Sequence, residues 1–235
     1  VLKTLRNAWA IPELRRKILF TLFIVFLYRI GAALPIPFID YSTINQYANL
    51  GLFNEGIFSY LNILSGYAFS SATLLALSVQ PYINASIIIQ LLTVAIPALE
   101  RLSKNGEEGR KKIEKITRYV TIGIAVISAY GYYAVLGSEA MTGIPGGLIV
   151  YTEGFAKWFA MFVIIACYTA GACLVMWLGE KIDEQGIGNG ISMILFANIV
   201  SGLPSMFSQF HQNLQLKRAD DALIFGGEVV PVWFQ

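Results

Sequence analysis

Charge is what this sequence has least of. Only 14% of its 235 residues are Asp, Glu, Lys or Arg, against roughly 25% in an average soluble domain, while 56% are hydrophobic. A mean hydropathy of +0.60 places the chain among membrane proteins. Histidine is scarcer still: His211 is alone, and no Cys, His and carboxylate group has metal-ligand spacing. No serine stands in a nucleophile-elbow motif. Catalysis has no footing, and no enzyme, cofactor or metal is expected. The two cysteines, Cys167 and Cys173, fall six apart in one apolar run, on different faces of a helix, which works against a disulfide between them. A net charge of +2 is too small to imply nucleic acid. The glycines Gly186, Gly188 and Gly190 lack a preceding strand and the full dinucleotide spacing, so they read as a turn into a helix. The first apolar run starts near Ile18, is too long for a signal-peptide core and lacks a small-residue cleavage site.

What is present is a series of apolar stretches long enough to cross a bilayer as helices of about 20 residues. Five are expected, at 18–34, 72–99, 119–136, 155–178 and 191–207. Lys and Arg set their direction. Lys3, Arg6, Arg15, Arg16 and Lys17 precede the first stretch, and Arg101, Lys104, Arg110, Lys111, Lys112, Lys115 and Arg118 lie between the second and third. The links 35–71 and 137–154 contain no Lys or Arg. An amino end in the cytoplasm satisfies the pattern for every crossing. The tail, with Lys217 and Arg218, is then expected outside. Gly226, Gly227 and Pro231, then Trp233 and Phe234, suit a turn and an interfacial belt before a further span, and position 1 is not Met. A piece of a longer chain is expected.

Polar groups at membrane depth are costly unless they face a cavity or another helix. The segment PYINASIIIQ, Pro81 to Gln90, mixes Asn84, Ser86 and Gln90 with isoleucines, and Ile83 and Ile87 are four apart on one helical face. Such a helix lines something. Ile191 and Leu195 repeat the spacing. In the outward link, Ile57, Phe58, Tyr60, Leu61, Ile63 and Leu64 can form a short amphipathic turn, packed as a hairpin on its own bundle or folded back into a cavity. Arg29 is the one basic residue well inside a predicted span, near enough to its outer end to snorkel. Asp, Glu and His are almost absent from the spans, which weakens ion-coupled transport.

Several long motifs then coincide. LALSVQPYINASIIIQLLTVAIPALE, NGEEGRKKIEKITRY, MWLGEKIDEQGIGNGIS, IPELRRKILFTLFIVFLYRIGAALPIP and NILSGYAFSSATL, in that family's order along the chain from about residue 5 to 207, resemble the bacterial SecY protein-translocation channels. The resemblance implies an all-α polytopic membrane helical bundle, five transmembrane helices making one half of a ten-helix inverted repeat, with 208–235 as an outer hinge towards the second half. It implies a pore ring of Ile83, Ile87, Ile191 and Leu195. It implies a plug at about 57–71: Ile57, Phe58, Leu61, Asn62, Ile63, Leu64, Ser65, Gly66, Tyr67, Ala68 and Phe69. Here Gly66-Tyr67-Ala68-Phe69 departs from the commoner Gly-Gly-x-x pattern. Spans two and three resemble one side of a lateral gate, with Gln80, Asn84, Ser86 and Gln90 as its polar face.

The function implied is conduction of unfolded secretory proteins across the bacterial plasma membrane and release of membrane segments sideways into lipid. The implied partners are the remaining half of the channel, SecE and SecG, the SecA motor ATPase and the ribosome, signal sequences, unfolded polypeptide and the lipid bilayer, with no direct nucleic-acid contact. The alternative from the residues alone is half of a small-solute transporter or channel, which needs ionisable or carbonyl groups at mid-depth.

Overall fold

The computed structural model describes residues 11–47, 56–139, 147–151 and 153–220, with the side chains of 45–47, 56–59, 205–206 and 208–220 excepted. Of the expected hinge 208–235, residues 208–220 continue the last helix as backbone, and the His211 side chain and residues 221–235 lie outside what is described. The described chain is all-α. Its helices are α1 (Pro12–Ala32), α2 (Tyr41–Tyr47), α3 (Gly56–Leu64), α4 (Gln80–Ala95), α5 (Pro97–Lys104), α6 (Gly106–Gly137), α7 (Gly154–Gln185) and α8 (Gly190–Asp220). Among the described residues the only extended pairings are two isolated bridges, Pro35 with Thr73 and Ile39 with Ile149.

Local chemistry sets the boundaries. α1 opens with Pro12, whose missing N–H costs nothing in a first turn, followed by Glu13 at the positive end of the helix dipole. It stops at Ala33, and Pro35 and Pro37 prevent its continuation. α4 also carries a proline in its first turn, Pro81. It ends because Ile96 precedes Pro97 and takes an extended conformation (φ −107°, ψ 114°), so α5 leaves at 101° to α4.

Two apolar clusters make the core, and α7 runs through both. One gathers Ile36, Ile39, Leu136, Ile149, Ile164 and Tyr168. The other gathers Ile24, Tyr28, Val79, Leu178, Ile191 and Ile194. Close approach of the elements depends on small residues. A Cβ at Gly171 would lie 2.1 Å from the Leu74 carbonyl oxygen, and one at Gly190 would lie 2.0 Å from that of Gly179. On the far side of α7, Phe155, Trp158, Phe159 and Phe162 follow helical spacing and are 53 to 85% exposed, a stripe suited to lipid.

The two ends differ in charge. At one, the cation-free links meet: Asp40 N–H donates to the Leu148 carbonyl at 3.0 Å beside the Ile39–Ile149 bridge. At the other, Arg118 Nε and Glu180 Oε1 are 2.7 Å apart, tying α6 to α7, and Thr21 Oγ1 accepts the Ile187 N–H at 3.1 Å. The basic start of α1, the basic start of α6 and the glycine turn therefore share one end.

Each expected span contains helix, but not in equal measure. α6 and α7 are long and apolar enough to cross a membrane, and the bent pair α4 and α5 makes a third if counted as one. α1 falls short of that standard, because Arg15, Arg16, Lys17 and Arg29 crowd its ends, while α8 is apolar over Gly190–Pro204, as far as its side chains are described without a break. The largest departure concerns 72–99. Residues 65–79 are a chain of turns, and α4 has 16 residues, about 24 Å of rise against ~30 Å of hydrocarbon.

Candidate pore constriction and plug

The turn-rich segment that precedes α4 carries unusual backbone. Among the described residues, four non-glycines have positive φ, and three of them lie here: Tyr67 (69°), Ala72 (48°) and Ser78 (49°). Gly66, at 63°, precedes Tyr67. Left-handed conformations of this kind cost about 1–3 kcal/mol each, so the surroundings must hold them. Tyr67 occupies the position where a second glycine would be unstrained.

Three tyrosines hold one side of this segment. Tyr132 donates its hydroxyl to the Phe69 carbonyl. Tyr168 and Tyr41 both donate to the Ala72 carbonyl, at 3.2 and 2.9 Å, and Tyr41 OH in turn accepts the Ile36 N–H at 2.6 Å. The rings pack together as well, Phe69 tilted against Tyr132 at 4.6 Å and Tyr132 edge-to-face with Tyr168 at 5.0 Å. Within the segment, Ser65 Oγ donates to the Asn62 carbonyl and accepts the Phe69 N–H, both at 3.0 Å, while Asn62 Oδ1 accepts the Ser70 N–H at 3.1 Å. Asn62 and Ser65 are buried with all this polarity satisfied.

Of the expected plug residues, Ile57 and Phe58 fall in α3 with side chains outside the described set. Leu61 packs against the first cluster, Ile63 and Leu64 are half-buried, and Asn62, Ser65, Gly66, Ala68 and Phe69 are buried. Tyr67 lays its ring over Gly202 of α8, where a Cβ would be 3.1 Å from the ring. Arg29 does more than reach for headgroups: although exposed, its Nη1 donates to the Gly66 carbonyl at 3.2 Å.

Three of the four expected ring residues come together. Ile191 is buried in the second cluster, and Ile83 and Leu195 pack half-buried against it. Ile87 does not join them. It is 50% exposed and lines a cavity of about 380 Å³ with Asn84, Ile88, Ile124 and Ile127. The reason lies in α4's packing face, which is Pro81, Ala85 and Ile89: one further turn carries Ile87 past the cluster and towards α6. Val79 fills the gap, 1% exposed in the same cluster. A helical i, i+4 rule misses it, because Val79 precedes the first helical residue.

The expected polar face also divides. Ser86 and Gln90 bond to each other at 3.2 Å and line a cavity of about 740 Å³ at the charged end, together with Arg118, Glu180 and Asp183. Asn84 faces the smaller cavity. Gln80 is half-buried at the first residue of α4. Sequence reasoning missed Asn198 of α8 altogether, which is 1% exposed. A lone amide in an otherwise apolar helix was the available signal.

A family model described as SecY matches residues 73–234. Curated relatives include the protein translocase subunits SecY of Streptomyces galbus, 42% identical over 87% of this chain and 47% of that protein, and of Corynebacterium glutamicum, 40% identical over 85% and 45%. That of Mycobacterium tuberculosis (strain ATCC 25618 / H37Rv) is 43% identical over 82% and 44%. The chain thus spans about half the length of the curated relatives it matches. Two solved structures share the fold with a TM-score of 0.54 at 19% identity over 78% of this chain and 36% of theirs: a protein conducting channel, and Sec61 in the canine ribosome-channel complex from the endoplasmic reticulum.

Proposed function

The chain belongs to the SecY family, and from that premise we propose that it supplies one half of a protein-conducting channel, with five membrane crossings and its amino end in the cytoplasm. The channel passes unfolded polypeptide across the bacterial plasma membrane and lets apolar segments leave sideways into lipid. No chemical step is involved. One observation carries the reading: Val79, Ile83, Ile191 and Leu195, from the start of α4 and the start of α8, share one apolar cluster with residues of α1 and α7. On the charged side of that junction lies the polar-lined cavity, and beside it the strained, hydrogen-bonded segment 65–79.

The physics suits the task. Aliphatic side chains offer no hydrogen bonds to water or ions, so a narrow collar of them closes by dewetting. The same indifference lets it yield around a chain of any sequence. The half-buried state of Ile83 and Leu195 supports a second set of residues facing them, supplied by the other half. Segment 57–71 is the plug on the outer side. The face of α4 and α6 that bears Asn84, Ile87, Ile88 and Ile127 is one wall of the lateral gate, and Asn84 weakens its hold on lipid. Partners follow from the family: the remaining half, SecE and SecG, SecA and, as in the canine complex, the ribosome.

Replacing Val79, Ile83, Ile191 and Leu195 together by glycine in the full-length channel tests the collar. Ion conductance in a planar bilayer without substrate should rise. Conductance equal to that of the parent channel overturns the assignment.

A further inference from the structure

The polar groups around the plug are not evenly distributed. On one side, three tyrosine hydroxyls, from α2, α6 and α7, fix the carbonyls of residues 69 and 72. On the α1 and α8 side, exposed Arg29 holds the Gly66 carbonyl, and the buried polar groups converge on one amide. Asn198 Nδ2 donates to the Leu64 carbonyl at 2.7 Å and to the Tyr28 hydroxyl at 2.9 Å, with Ser78 Oγ at 3.3 Å. Ser78 Oγ is itself 3.3 Å from Tyr28 OH and from the Leu64 carbonyl. Leu64 is the last residue of α3. A carbonyl oxygen can only accept, so the nitrogen of the amide must face it.

We propose that Asn198, through its bond to the Leu64 carbonyl, is the positioning residue that latches the plug closed, while the tyrosine side stays fixed as the pivot. The proposal rests on the reading of 57–71 as a plug.

Two features make this a latch and not merely a packed core. First, the network is incomplete: Asn198 Oδ1 is buried and has no hydrogen-bond partner. An orphaned buried acceptor offsets part of what the amide's own donors gain, so the closed arrangement is held without being locked. Second, the segment so held is strained, with Gly66 and Tyr67 in consecutive left-handed conformations beginning two residues after Leu64. Gly66 also leaves no room for change, because a Cβ there would be 2.8 Å from Arg29 Nη1 and 3.0 Å from Asn198 Oδ1. Releasing the amide therefore leaves the stretch, on this side, to the longer bonds from Arg29 and Ser78 at 3.2 and 3.3 Å, and its backbone relaxes on leaving.

The test uses the full-length channel in liposomes, with three changes compared: Asn198→Ala, the pair Tyr28→Phe with Ser78→Ala, and deletion of residues 60–66. Resting ion conductance is read per inserted channel, alongside translocation of a preprotein with an intact signal sequence. Loss of one buried hydrogen bond moves a closed-to-open ratio by roughly five- to thirtyfold. Asn198→Ala should raise resting conductance accordingly while translocation is kept, whereas a residue that only supports the fold would lower translocation and insertion together. If Asn198→Ala does not insert, the Tyr28 and Ser78 pair decides, since Phe keeps the ring packing and a rise is again expected. A deletion that raises conductance with no rise from the substitutions overturns the latch and leaves the plug standing. A deletion without effect overturns the plug reading and the latch with it.

Discussion

Asp40 ends the link after α1 and caps α2. Its carboxylate accepts the Ser42 and Thr43 hydroxyls, each at 2.5 Å, and the Ser42 and Thr43 N–H groups at 3.0 and 3.3 Å. Those bonds, the Ser42 hydroxyl first, hold its pKa down from 3.8 to about 2. A carboxylate with a lowered folded-state pKa adds stability that is fully present above its unfolded value and disappears as pH falls through the folded one. Protection of the Ser42 and Thr43 amides from hydrogen exchange should therefore fade between about pH 4 and pH 2, and Asp40→Ala should abolish that dependence. Two glycines give opposite expectations. Gly171→Ala drives a methyl into the Leu74 carbonyl and should destabilise by about 1–3 kcal/mol. Gly123→Ala meets nothing within 4 Å and should stabilise α6 by about 0.5–1 kcal/mol. Thermal unfolding in detergent reads both.

Helices were legible where the apolar runs were long and their ends chemically marked. α6 and α7 contain the expected third and fourth spans and extend them into the charged end, where Arg118 and Glu180 join them. That pair is 44% and 20% exposed, so its coupling in a double-mutant cycle should stay below about 1 kcal/mol. A coupling several times larger would mean that the pair is desolvated in the assembled protein. The run 72–79 was not legible. Leu74, Leu75, Ala76 and Val79 look like any buried helix, and apolar content alone does not separate a helix from packed turns. Positive φ at Ala72 and Ser78 leaves no mark in residue type, because neither alanine nor serine favours it.

At the scale of the whole molecule, the same partition governs the site. Family motifs led to Ile83, Ile191 and Leu195, whose clustering depends on helical spacing. They led past Val79, whose place depends on where α4 begins, and past Asn198, whose partners come from α1, α3 and the turns before α4. A contact between elements distant in sequence has no local signature. The account stands on the collar, so the most direct measurement is cross-linking of a polypeptide arrested in transit through the full-length channel, using single cysteines at Val79, Ile83, Leu195, Ile87 and the exposed Phe162. Cross-links should concentrate at Val79, Ile83 and Leu195, be weaker at Ile87 and be absent at Phe162. Cross-links at Phe162 as strong as those at Ile83 would contradict a central collar.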